Sequence, residues 1–157
     1  MKMIKWAFLL IAGFISIGCS AQTGTQSNFF GIGLNVLGVV TNDKVQFYEY
    51  DDEWTLDPDS DFTLPKGYKG VFGIGFNVLG VIVNNKVQFY EYDDEWTYDP
   101  DSDFTLPNGH KGVFGIGLNV LGVIVNNKVQ FYEYDDDEWT YDPDSDFTLP
   151  NGHKGVF

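Results

Sequence analysis

The amino-acid sequence predicts an all-β protein built from three tandem four-stranded antiparallel repeats. A 42-residue unit that begins Gly-Ile-Gly occupies residues 31–72 and 73–114, and it returns at 115–157 with one added aspartate. No helical period of apolar residues runs through the unit, and its apolar residues are mainly Val, Ile, Phe, Tyr and Trp, which favour strands. Glycine and proline divide the unit at fixed places, as turns between short strands do.

Each copy is predicted to contain four strands. In the second copy these are Gly70–Gly75, Asn77–Val83, Lys86–Tyr92 and the short Trp96–Tyr98. Asn84 and Asn85 are expected to form a hairpin turn, because asparagine tolerates positive φ. The acidic run Asp99–Asp103 is expected to be a polar loop, followed by a short extended piece at Phe104–Leu106.

The second strand of the unit carries apolar residues on both faces. In a strand, Leu79 and Val81 point to one side, and Val78 and Ile82 point to the other. In a sheet with one solvent-exposed face, apolar and polar residues alternate along each strand. Because this strand lacks that alternation, we expect these sheets to be covered on both sides, as stacked blades are. The stretch VIVNNKVQFYEYDDEW resembles the middle hairpin of WD40-like and lectin-type propeller blades, and the repeat length also matches that architecture.

The number of copies leaves two other arrangements open. A propeller closes with about four to eight blades, and residues 29–157 hold three repeats. Three repeats are the plan of a β-trefoil, and the VQFY…EW segment is similar to the VQLW…QxW pattern of ricin-type trefoil lectins. Alternatively, two chains could pair as a homodimer and complete a six-bladed ring.

The N-terminus has the features of an export signal. Two lysines in Met1–Lys5 precede the apolar run Trp6–Ile17, which is too short to span a membrane as a helix. The following Gly18-Cys19 resembles the lipobox of bacterial lipoproteins, and the resemblance implies that Cys19 is lipidated and becomes the mature N-terminus. Ser16 stands where that motif usually has leucine, so ordinary signal-peptidase cleavage near Ala21 is the alternative.

This resemblance gives an expected location. Residues 1–19 would be the signal peptide, and the small polar residues 20–28 would be a flexible tether between the lipid and the repeat domain. No aspartate follows Cys19 directly, so the inner-membrane retention signal of some such lipoproteins is missing. We therefore expect an exported protein of the bacterial envelope, held at the outer membrane only by its lipid anchor.

Composition excludes several classes of function. The chain has 23 acidic residues and nine lysines, and removal of the leader would leave a net charge of −16. So acidic a surface repels nucleic acid and anionic membranes. Cys19 is the one cysteine of the chain, so no disulfide framework can form.

A repeated acidic loop is a candidate calcium site. Alternating carboxylates supply the hard oxygen ligands that Ca²⁺ prefers. An EF-hand is excluded, since Phe104 and His110 stand where that loop needs glycine and glutamate. The alternative is a solvated acidic turn. The candidate ligands are Asp57, Asp59 and Asp61, with Asp99, Asp101 and Asp103, and Asp142, Asp144 and Asp146.

A second acidic cluster adjoins a tryptophan in every copy and is a candidate sugar site. An indole ring can stack on the apolar face of a sugar while carboxylates accept hydrogen bonds from its hydroxyls. The alternative is that the tryptophan packs the repeats together. The candidate residues are Trp54, Trp96 and Trp139, with Asp52, Asp94 and Asp136.

The sequence indicates binding rather than catalysis. It has no Ser-His-Asp, Cys-His, HExxH or phosphate-loop pattern. Near-identical repeats also offer the same environment three times, whereas acid–base catalysis needs two different ones. We expect a non-catalytic binding or adhesion module for a carbohydrate or protein, with no cofactor other than Ca²⁺. The alternative is a structural surface scaffold without a specific ligand, stabilised by Ca²⁺.

Overall fold

In the computed structural model of the chain, residues 29–152 are described, and all their regular structure is β-strand. The predicted lipidation site Cys19, the predicted signal peptide and the predicted tether lie outside these residues. None of the described residues belongs to a helix of the length and apolarity needed to cross a membrane. The twelve strands are β1 Phe29–Ile32, β2 Val36–Thr41, β3 Lys44–Asp51, β4 Glu53–Thr63, β5 Tyr68–Ile74, β6 Val78–Val83, β7 Lys86–Asp93, β8 Glu95–Thr105, β9 His110–Ile116, β10 Val120–Val125, β11 Lys128–Asp135 and β12 Glu138–Thr148.

The strands form three separate four-stranded antiparallel sheets in chain order. Sheet 1 is β1–β4, sheet 2 is β5–β8 and sheet 3 is β9–β12, and each is a simple meander. The predicted all-β class and its three tandem repeats are confirmed. A β-trefoil would join strands of different repeats in one barrel, and the described strands close no such barrel.

The fourth strand is longer than predicted. It spans Glu95–Thr105, whereas the expected strand covered only Trp96–Tyr98. The register shifts between the pairs Phe89↔Asp99 and Val87↔Phe104, so the acidic run is a bulge within β8 rather than a loop between strands. Sequence alternation could not reveal this, because proline and three aspartates are poor strand formers by composition.

The sheets stack face to face through the two-faced strands. Leu79 and Val81 of sheet 2 are fully buried against sheet 1, whereas Ile82 on the opposite face packs toward sheet 3. The two interfaces are built from equivalent residues except at Ile82, whose counterpart Val40 is only partly buried. Sheet 1 contributes Phe30, Ile32, Val45, Phe47, Phe62 and Leu64 to the first, and sheet 2 contributes Phe72, Ile74, Ile82, Val87, Phe89, Phe104 and Leu106 to the second.

The Gly-Ile-Gly motif lets the first strands of neighbouring sheets approach closely. A Cβ atom on Gly73 would collide with the carbonyl oxygen of Gly31, and one on Gly115 would collide with that of Gly73. The second glycine has positive φ, and its N–H bonds to the next sheet: Gly33 N donates to Gly75 O at 2.8 Å, and Gly75 N donates to Gly117 O at 2.6 Å. The glycines that start each repeat are thus part of the contact between sheets.

Gly115→Ala tests this close approach. The added methyl group meets backbone atoms, so we expect a loss of about 3 kcal/mol in the free energy of unfolding, the upper end for overpacking. Gly109→Ala is the control, because its Cβ would meet nothing within 4 Å and only its φ of 78° is strained. That strain costs about 1 kcal/mol. Equal losses for the two variants in urea denaturation would contradict the packing argument.

Candidate functional site

Two of the three candidate sugar-binding tryptophans join neighbouring sheets. The indole of Trp96 stacks on Phe47 of sheet 1 with a centroid distance of 5.2 Å, and its Nε1 donates to the Ser60 carbonyl oxygen at 2.7 Å. Trp139 repeats this contact with Phe89 at 5.2 Å and Ser102 O at 2.7 Å. One ring face and the only polar atom of each indole are therefore committed to the fold.

The remaining faces of these indoles meet other aromatic rings. Phe62 lies edge-on to Trp96 at 5.7 Å, and Tyr92 packs against the same indole at 5.1 Å. Phe104 and Tyr134 surround Trp139 at 5.8 and 5.0 Å. The arrangement leaves little of either indole for stacking on a sugar and matches the packing alternative. Trp54 differs, since half of its surface (51%) is exposed.

The aspartates next to the tryptophans shape hairpin turns. Asp52 and Asp94 are exposed and have φ of 69° and 68°. In the third copy, Asp136 and Asp137 both have positive φ, the conformation of the two-residue type I′ hairpin turn. The extra aspartate therefore changes the turn without disturbing the strands on either side of it.

The carboxylates of the acidic bulge have separate partners. Asp99 Oδ1 accepts a hydrogen bond from the Asp101 N–H at 3.1 Å, and the Asp99 carbonyl accepts one from the Ser102 hydroxyl at 3.0 Å. Asp103 instead pairs with Lys86 at 3.5 Å. The same bonds hold Asp57 and Asp59 in the first copy, and Asp142 and Asp144 in the third. Across residues 29–152, no group of three or more acidic, histidine or cysteine side chains is arranged to hold a metal ion.

The last aspartate of the bulge belongs to a side-chain network that joins β7 and β8 of sheet 2. The Tyr98 hydroxyl donates to Asp103 Oδ1 at 2.9 Å and accepts from Gln88 at 3.3 Å. Burial raises the pKa of the Tyr98 phenol, and the bond to Asp103 raises it further. In the third copy, the bond to Asp146 is the main cause of the raised pKa of Tyr141. Both phenols thus stay protonated at neutral pH and remain donors.

The first copy lacks this hydroxyl. Leu56 stands where the other copies have tyrosine, and Asp61 Oδ1 is buried without a hydrogen-bond partner among the described residues. Asp61 keeps its ion pair with Lys44 at 3.5 Å. An unpaired buried oxygen is unfavourable, so sheet 1 is the less well satisfied copy of the network.

A small, half-open groove lies between sheets 2 and 3. Its volume is about 160 Å³. Ile74, Val78, Phe89 and Leu118 give it apolar walls, and Glu91, Asp99, Ser102, Asn119, Tyr134 and Trp139 supply polar and aromatic groups. Drug-sized ligands occupy pockets of roughly 300–1,000 Å³, so this groove suits one sugar ring or one side chain.

The groove could not be predicted from spacing within the repeat, because its two halves are one repeat apart. Its acidic members, Glu91 and Asp99, come from sheet 2, while Tyr134 and Trp139 come from sheet 3. Of the predicted site residues, the groove contains only Trp139 and Asp99. The signal available in the sequence is the difference at its mouth, where Leu118 replaces the Phe76 of the preceding copy.

No protein-family model matches the chain, and no curated protein matches it.

Tyr98→Phe and Leu56→Tyr test the tyrosine–aspartate bond in opposite directions. Removing the hydroxyl leaves Asp103 Oδ1 without this donor, so Tyr98→Phe is expected to lower the free energy of unfolding by about 1–2 kcal/mol. Leu56→Tyr supplies the missing donor to Asp61 and is expected to raise it by about 1 kcal/mol. Leu56→Phe is the control that adds a ring without a hydroxyl. Equal effects of Leu56→Tyr and Leu56→Phe in urea denaturation would contradict the role of the bond.

Proposed function

We propose that the chain is a non-catalytic binding or adhesion module of the bacterial envelope, with a carbohydrate or protein ligand. The groove between sheets 2 and 3 carries this proposal, because apolar walls, an aromatic rim and hydrogen-bonding groups converge there. Its acidic members would repel anions and accept hydrogen bonds from hydroxyl groups, which favours a neutral sugar.

The rim of the groove is fixed before any ligand binds. Asn119 Nδ2 donates to the Tyr134 carbonyl oxygen at 2.9 Å, and the equivalent Asn77 donates to Glu91 Oε1 at 3.2 Å. Such bonds reduce the conformational freedom that a ligand would otherwise have to remove. A rigid, small and polar-rimmed groove supports recognition of a single ring.

A structural surface scaffold is the second candidate. The packing of Trp96 and Trp139 between sheets favours it, because the most distinctive aromatic residues of the repeat stabilise the stack. A scaffold would need no ligand, and its repeats would serve only to extend the stack.

The second and third copies carry different residues, Phe76 and Leu118, at equivalent positions, and exchanging them tests ligand binding at the groove. Leu118→Phe narrows the groove mouth with the side chain that the second copy carries, so we expect at least a tenfold loss of affinity for a glycan found on an array. Leu118 is 64% exposed, so the fold is expected to tolerate the larger ring. The measurement is calorimetric titration of the glycan.

Phe76→Leu is the matched control. It makes the reverse exchange at the equivalent exposed position between sheets 1 and 2, where Phe76 lies against Gly33. We expect this variant to keep or strengthen binding. If the unmodified chain binds no glycan, or if both variants bind equally well, the groove is not a sugar site and the scaffold candidate is favoured.

Anchoring through Cys19 is part of the proposal and has its own test. With Cys19→Ala, we expect the chain to move from the membrane fraction to the soluble fraction of the envelope, because no lipid can be attached. Mass spectrometry of the mature N-terminus then distinguishes the two processing routes. An unmodified N-terminus just after Ala21 in the original chain would contradict lipidation.

A further inference from the structure

The contact between neighbouring sheets is made twice with the same geometry. In both, an indole stacks at 5.2 Å on a phenylalanine of the preceding sheet, and its N–H donates at 2.7 Å to a serine carbonyl. A tyrosine also meets the second phenylalanine of that sheet at 4.7 Å in both interfaces. The stacking contact is thus a property of the repeat itself.

Sheet 1 presents the tryptophan-bearing half of this contact without a sheet against it in the described structure. Trp54 is 51% exposed there. Leu37 and Val39 are only half-buried, although their counterparts Leu79 and Val81 have no exposed surface.

Sheet 3 presents the complementary half. Phe147 is 53% exposed, whereas its counterpart Phe104 is 6% exposed beneath Trp139. Ser145, whose carbonyl corresponds to the indole acceptors, is also exposed, while Ser102 is buried. Ile116 is exposed in the same way. On the same face, Ile124, Val129 and Leu149 are already buried in a cluster with Phe114 and Phe131, so the exposed part of the face is the part around Phe147, Ser145 and Ile116.

We propose that a second copy of this chain stacks its sheet 1 on sheet 3, repeating the contact that joins the sheets within one chain. The partner's Trp54 would stack on Phe131 and lie edge-on to Phe147, with its indole N–H donating to the carbonyl of Ser145. At the first strands, the N–H of Gly117 would donate to the carbonyl of the partner's Gly33, as Gly33 and Gly75 donate within the chain.

The number of sheets determines the assembly. Such an interface is head-to-tail, and it closes into a ring only when the rotations sum to a full turn. Propellers close with about four to eight blades, so two copies with six of the described sheets fit, whereas three copies with nine do not. We therefore infer a closed dimer with two equal interfaces.

Charge gives the dimer a distinctive salt dependence. Within the chain, neighbouring sheets place their acidic hairpins and bulges side by side. Each copy brings the same acidic groups to the interface between copies. These like charges repel each other through solvent, and dissolved salt screens the repulsion. The screening length is roughly 8 Å at physiological ionic strength. Dimerisation is therefore expected to strengthen as sodium chloride is raised.

Sedimentation equilibrium of the purified chain tests the inference. Cys19→Ser is included throughout, because it excludes both a lipid and a disulfide between copies. The expected mass is twice that of one chain at micromolar concentration. Trp54→Glu and Phe147→Asp each place a charge on one of the two faces and are expected to give monomers. Asn108→Asp adds a charge at an exposed turn and is expected to leave the dimer intact.

Mixing the two monomeric variants distinguishes a head-to-tail interface from a symmetric interface. In the mixture, the intact face of each variant can meet the intact face of the other, so one of the two interfaces re-forms and a heterodimer is expected. A monomeric unmodified chain, a dimer that survives either variant, or a mass that grows beyond two copies would overturn the closed dimer. Circular dichroism of the variants verifies that each monomer is folded.

Discussion

In this protein, the second and third repeats are each held to the preceding repeat by a tryptophan indole that makes two contacts, one by ring stacking and one by a hydrogen bond. The ring is stacked on a phenylalanine, which buries apolar surface, and its N–H reaches a carbonyl within the bulge of the preceding sheet. The bulge matters because it frees that carbonyl from the strand ladder. The acidic run and the tryptophan of the next repeat are thus two halves of one contact.

This contact gives the acidic residues a structural role. Asp57 closes the bulge that presents Ser60, and Asp61 ties the end of the same bulge to Lys44. The turn aspartates supply positive φ at the hairpins. Within the bulge, the carboxylates thereby have individual partners: the first accepts a backbone N–H and the last pairs with a lysine.

Much of the fold could be predicted from the unit, and the limits of prediction have physical causes. The two-faced pattern of Val78–Ile82 indicated stacked sheets because alternation is a local property of strands. The partner of Trp96 could not be predicted, since Ser60 lies 36 residues away and offers only a backbone carbonyl. The groove could not be predicted from the sequence for the same reason. Side chains such as Asp99 and Trp139 meet across sheets, and no spacing within one repeat describes that meeting.

The differences between copies show which surfaces the stack constrains. The first and second copies differ at seven positions, and none of these residues is buried in the first copy. Leu34, Asp43 and Lys66 are exposed there, and Leu56 lies on the open face of sheet 1. The tryptophan, the two phenylalanines and the serine of the indole contact are the same in every copy, including Trp54 and Phe147, which meet no neighbouring sheet in the described structure. Within the described residues, sheet 1 therefore exposes the indole half of this contact and sheet 3 exposes the phenylalanine half.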